Sequence, residues 1–131
     1  MKLDIEQSKA IADKVDIKPK ECFRNALIAL SVLPDNAIYV EGYCVSQDDA
    51  LLIEHGWIEL DDSIIDPTLY QTELAGYFAG LKISKSDIVQ RFRRGAIELP
   101  LWVQADSHDM RTAQDNGLKF CSDLLQAKAE G

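Results

Sequence analysis

Apolar residues change their period along the chain, and the changes divide it into elements. Over residues 3–15 the apolar marks Leu3, Ile11 and Val15 stand among charges, which predicts a modest amphipathic helix. Phe23, Ala26, Leu27 and Leu30 then repeat at i, i+3, i+4 and i+7, the spacing of one buried helical face. Pro19 suits the first turn of that second helix and Pro34 closes it. Cys22 therefore falls in its first turn, with Asn25, Ala26 and Ala29 above it on the same side.

From residue 37 the period shortens. AIYVEGYCV (37–45) is rich in β-branched and aromatic residues and reads as a strand, followed after a polar turn by LLIEHGWIEL (51–60) and SIIDPT (63–68). These three segments predict an antiparallel meander, and YFAGLKI (77–83) is either a fourth strand or an irregular connection. Ser84 followed by Asp87 has the form of an N-cap with an acid in the first turn, opening a helix to about residue 94. LPLWV (99–103) is a short apolar segment able to dock on the core, and residues 107–128 form a last helix that Gly117 weakens. Helices, meander and helices again make an α+β order rather than an alternating βαβ one.

The hairpin carries a geometric consequence. With Asp61-Asp62 as a two-residue tip, opposed residue numbers sum to 123, so Trp57 faces Asp66 and His55 faces Thr68. Opposed residues share a face of the sheet, which makes His55 and Asp66 diagonal neighbours about 7–8 Å apart at Cα. A three-residue loop would instead send Asp66 to the other face.

That pairing matters because of Cys22. A thiol is a poor nucleophile until it ionises, and the positive end of a helix favours the thiolate. The thiolate needs a proton carrier, commonly imidazole, and the imidazole needs a third group to hold its tautomer and orientation. Cys22, His55 and Asp66 are of the right types for those three roles.

Composition narrows the rest. The chain has 131 residues, enough for one domain, with 47% hydrophobic and 27% charged residues, an ordinary globular balance. Lys and Arg number 14 against 22 Asp and Glu, and a net charge of −8 repels phosphate backbones and anionic lipids. Neither nucleic acid nor a membrane is therefore expected as partner. The cluster Arg91, Arg93 and Arg94 reads as a solvated helix face. Three cysteines cannot make a disulfide framework; Cys44 and Cys121 read as buried thiols. Charges through the first 16 residues leave no apolar signal-peptide core, and no 18 apolar residues run together, so a cytoplasmic protein is expected. Cys22, Cys44, His55 and His108 show no metal-ligand spacing, and Gly76, Gly80 and Gly95 are isolated, so no metal and no cofactor is expected.

In order, E-C-F at a helix start, Y-V-E-G-Y, H-G-W-I-E-L and I-I-D-P-T resemble the catalytic core of transglutaminase-like proteins, part of the wider papain-like cysteine peptidase superfamily. The resemblance covers about residues 19–70. Together with the pattern of elements it gives the expected fold, a single transglutaminase-like domain over residues 1–131 with N-terminal helices on an antiparallel sheet of three to four strands, and C-terminal helices after it. It also implies Cys22 as nucleophile, His55 as general base and acid, and Asp66 as the orienting carboxylate.

Three further residues are candidates for substrate contact. Trp57 is core packing that also shields the His–Asp pair from water. Glu41 is a surface or salt-bridge acid, or orients a substrate from within Y-V-E-G-Y. Asn25, above Cys22, packs or touches substrate. The function expected is cysteine-dependent acyl transfer on a peptide or small amide, ending in hydrolysis or in transfer to an amine. The alternative is a catalytically silent binding module of the same fold, since the acid Glu21 next to the thiol opposes its ionisation.

Overall fold

In the computed structural model, which describes residues 1–95, 97–104 and 107–131, the elements run β1 (Lys2–Leu3), α1 (Ile5–Lys14), α2 (Cys22–Ser31), β2 (Ile38–Ser46), β3 (Leu52–Leu60), β4 (Ser63–Ile65), β5 (Leu74–Ser84), α3 (Lys85–Arg93), a 3₁₀ turn (Leu101–Gln104) and α4 (His108–Glu130). Short polar side chains open three of these helices by satisfying an N–H of the first turn. Asp4 accepts the Gln7 N–H at 2.9 Å, Ser84 that of Asp87 at 3.2 Å and Ser107 that of Met110 at 3.1 Å.

α2 begins differently. Pro19 does not occupy its first turn, as the sequence predicts, but a β-turn ahead of it, closed by the Glu21 N–H to the Lys18 carbonyl at 3.3 Å. Lys20 follows with φ 64°, the left-handed conformation that a type II turn requires after its proline. Glu21, at the cap position, makes no side-chain bond to the helix, and the first turn contains no acid.

The sheet corrects the expectation of three to four antiparallel strands. It has five, in the order β1-β4-β3-β2-β5, and β1 runs parallel to β4 while the other pairs are antiparallel. β1 is only two residues long and takes Leu3 out of the first helix; a pairing so short and so distant in sequence leaves no periodicity to read. Residues 77–83 belong to a strand, and it is longer, from Leu74 to Ser84. The hairpin tip is as its arithmetic requires. Ile58 opposes Ile65, Glu59 opposes Ile64 and Leu60 opposes Ser63, with Asp61 and Asp62 both at positive φ (49° and 65°) as in a type I′ turn.

Cross-strand register separates the two faces. Tyr39, Ile58, Leu60, Ile65 and Ile83 point toward α1, α2 and α3 and join Ile11, Ala26, Ala29 and Leu30 in the main core. α4 packs beside them on Tyr43 and Leu52. Gly117 does not interrupt this helix but lets it approach: a Cβ there would lie 2.5 Å from Leu52 Cδ1. The opposite face bears Val40, His55, Trp57, Ile64 and Tyr77. There the outermost strands β1 and β5 line one hollow, so the sheet curls around it. Among the described residues no helix is long and apolar enough to cross a membrane.

Candidate active site

Three elements bring Cys22, His55 and Asp66 together. β4 stops at Ile65, short of the strand to residue 68 that the sequence predicts, so β3 has no neighbour on that side beyond Ile58. The start of α2 and the loop after Asp66 take that place, and a cleft of about 320 Å³ opens there, lined by Lys20, Cys22, Ile53, Glu54, His55, Thr68 and Leu69. α2 comes close because Gly56 has no side chain: a Cβ would stand 2.8 Å from the Phe23 ring.

His55 is 1% exposed and Asp66 fully buried, and His55 Nε2 lies 2.8 Å from Asp66 Oδ2. The Cys22 thiol lines the same cleft as the ring and acts on its protonation. Burial alone would pull the imidazole pKa down, but the hydrogen bond to Asp66, the neighbouring Cys22 sulfur and the charges of both outweigh it and push it up to about 9. Asp66 is saturated. Its Oδ1 accepts the N–H groups of Thr68 (3.2 Å) and Leu69 (2.9 Å), the turn that an Asp-Pro sequence favours. Its Oδ2 takes His55 and the Tyr77 hydroxyl (2.8 Å). Its own N–H donates to Ser8 Oγ at 2.9 Å, and Ser8 in turn donates to the Asp4 carbonyl at 2.6 Å.

The three cysteines are free thiols in different settings. Cys22 is half-buried and faces the cleft, whereas Cys44 and Cys121 are buried as expected. Burial, with the charges of Asp66 and Cys22 added, pushes the Cys44 thiol up to about 12; burial also raises that of Cys121.

The other sequence candidates do not meet the cleft as substrate contacts. Asn25 is fully buried and acts as a tie: it accepts the Lys18 N–H (3.0 Å) and donates to the Lys18 carbonyl (2.7 Å) and Thr68 Oγ1 (3.0 Å). One amide thus fastens the turn before Cys22 to the loop after Asp66. Glu41 is neither on the surface nor open to a ligand. It is fully buried on the helix-covered face, accepting the Tyr39 hydroxyl (2.6 Å) and the N–H groups of Leu101 (2.7 Å) and Trp102 (2.8 Å). Trp57 is fully buried too, its ring stacked 5.9 Å from that of His55, and it is not among the residues that line this cleft.

Sequence reasoning missed Tyr77. Its phenol reaches Asp66 and its ring stands edge-on 5.1 Å from Trp57. The available signal was the Tyr-x-Ala alternation at 77–79, but the flanking glycines hid the strand's phase. Ser8 was missed as well, for it bonds a backbone N–H 58 residues away.

A second hollow, about 390 Å³, lies on the curled face between β1 and β5 and includes Trp57 and Tyr77 but neither Cys22 nor His55. The smaller cleft is the one that Cys22 and His55 line together. Among the described residues no group of three or more His, Cys, Asp or Glu is arranged to hold a metal ion. Compared with protein-family models, curated proteins and solved structures, the chain matches none.

Proposed function

We propose that the chain is a cysteine-dependent acyl-transfer enzyme of the transglutaminase-like or papain-like kind. The observation that carries this reading is one imidazole, His55, hydrogen-bonded to a buried carboxylate and lining the same cleft as a thiol at the mouth of a helix. Cys22 Sγ attacks a carbonyl carbon and forms a C–S bond. His55 carries the thiol proton to the leaving nitrogen as the C–N bond breaks. Water or an amine then gives His55 a proton and attacks the thioester carbon. The C–S bond breaks, and the proton returns to sulfur.

The start of α2 supports the charges that develop. With no acid in the first turn and no side-chain cap from Glu21, the helix's positive end is not neutralised locally, and the Cys22 N–H is the first candidate donor to an oxyanion. Glu21 itself is exposed, so water screens its charge from the thiol. A cleft of about 320 Å³ with Ile53 and Leu69 on its walls suits a small amide or one extended peptide segment rather than a folded partner.

Incubation with p-nitrophenyl acetate, followed by intact-mass and peptide mapping, tests the reading. The expected result is a burst of nitrophenol with acetyl on Cys22, lost in Cys22→Ala and His55→Ala. Acetylation that ignores His55, or none at Cys22, favours the silent binding module instead.

A further inference from the structure

We propose that Tyr77 is a positioning residue of the same site: its hydroxyl shares Asp66 Oδ2 with the His55 ring and limits how strongly the carboxylate holds the imidazolium proton. The inference rests on the thiol–imidazole–carboxylate reading given above, and it adds a fourth member from a strand outside the hairpin.

Geometry carries it. Both donors approach the same oxygen at 2.8 Å, while two backbone N–H groups hold the other oxygen. The carboxylate's plane is therefore set by its turn, and the choice left open is how Oδ2 divides between phenol and imidazole. Tyr77 is anchored for that role. β5 pairs with β2 so that Tyr77 opposes Cys44, and its ring meets Trp57 at 5.1 Å and His55 at 6.5 Å. Burial, then the charge of Asp66 and the hydrogen bond to it, raises the phenol far above its ordinary range, so Tyr77 remains a donor throughout the working range of pH.

A donor on Oδ2 draws charge away from the side that faces the ring. Removing it leaves a more basic carboxylate, a stronger hold on the imidazolium, and a proton that His55 releases less readily to the leaving group. The other titratable groups around the ring are Cys22 from α2, Cys44 from β2 behind Asp66, and Lys20 and Glu54 at the cleft walls. None of these touches Asp66 Oδ2 through a hydrogen bond; Tyr77 does.

The chain contains two histidines, and the other, His108, is exposed, so ring-proton NMR titration of the full chain reads His55 against an internal reference. Tyr77→Phe keeps the ring packing and removes the hydroxyl. The His55 midpoint is expected to rise by about 0.5–1 unit while that of His108 stays put. The shift should vanish when Tyr77→Phe is made on an Asp66→Asn background. Biosynthetic 3-fluorotyrosine, whose phenol donates more strongly and leaves the fold intact, should move the midpoint the other way, and no longer do so once Tyr77 is Phe. An unmoved His55 midpoint in both Tyr77→Phe and the fluorotyrosine protein overturns the proposal. So does a shift that persists without the Asp66 carboxylate. Iodoacetamide labelling of Cys22 in the same samples judges the catalytic reading separately, since its dependence on His55 does not require Tyr77.

Discussion

Two carboxylates, Glu41 and Asp66, are buried on opposite faces of one sheet, and their surroundings are close to identical in kind. Each accepts one tyrosine hydroxyl and two consecutive backbone N–H groups: Tyr39, Leu101 and Trp102 for Glu41, and Tyr77, Thr68 and Leu69 for Asp66. Those donors answer the same need, because a buried carboxylate without them would be prohibitively costly. The difference is a single extra partner. Asp66 also holds an imidazole, and that imidazole lines an open cleft together with a thiol, whereas Glu41 ends in backbone. Full satisfaction of a buried acid is common to both; on the proposed reading, chemistry begins where one of its partners can itself carry a proton to solvent-facing groups.

Isosteric amides at the two positions should separate these roles. Asp66→Asn leaves His55 without its orienting acceptor, and acyl turnover should fall by about 10²–10⁴-fold in steady-state assays, since loss of the buried carboxylate behind an imidazole misdirects its tautomer. The next effect is on stability and follows from His55, whose pKa rises from 6.5 unfolded to about 9 folded. A raised value means that the folded state binds the proton more tightly. The added stability is complete below about pH 6.5 and is lost as pH climbs through about 9, a change of about 3 kcal/mol in urea unfolding that His55→Gln should lack. Glu41→Gln sharpens the contrast. It should cost about 2 kcal/mol of unfolding free energy, because an amide cannot accept on both sides, while Cys22 acylation changes by less than about twofold. Ser8→Ala is the mildest. It removes the acceptor of the Asp66 N–H, and a loss of about 1 kcal/mol should appear in thermal or urea unfolding.

Legibility in the sequence followed the range of the interactions. The face of α2, the Ser84 cap and the Asp61-Asp62 tip rest on residues a few positions apart, and from the tip alone the register bringing His55 to Asp66 could be worked out. Glu41 was misread as a possible surface acid because its backbone partners lie 60 and 61 residues further on, in a segment whose only visible feature is apolarity. β1 is too short to carry a pattern, and its parallel partner is 61 positions away. β4 ends three residues early because Asp66 turns its carboxylate onto the N–H groups of Thr68 and Leu69, and those groups leave the ladder. Alternation in SIIDPT cannot reveal that competition. It is also what opens the cleft.

The decisive measurement is the rate of iodoacetamide labelling at pH 7, resolved by residue, in the native chain and in His55→Ala. Cys22 should label first, with Cys44 and Cys121 protected by burial, and its rate should drop at least about tenfold when the imidazole is removed. Equal rates at Cys22 with and without His55 would contradict an activated thiol and leave two well-satisfied buried acids of the same structural kind.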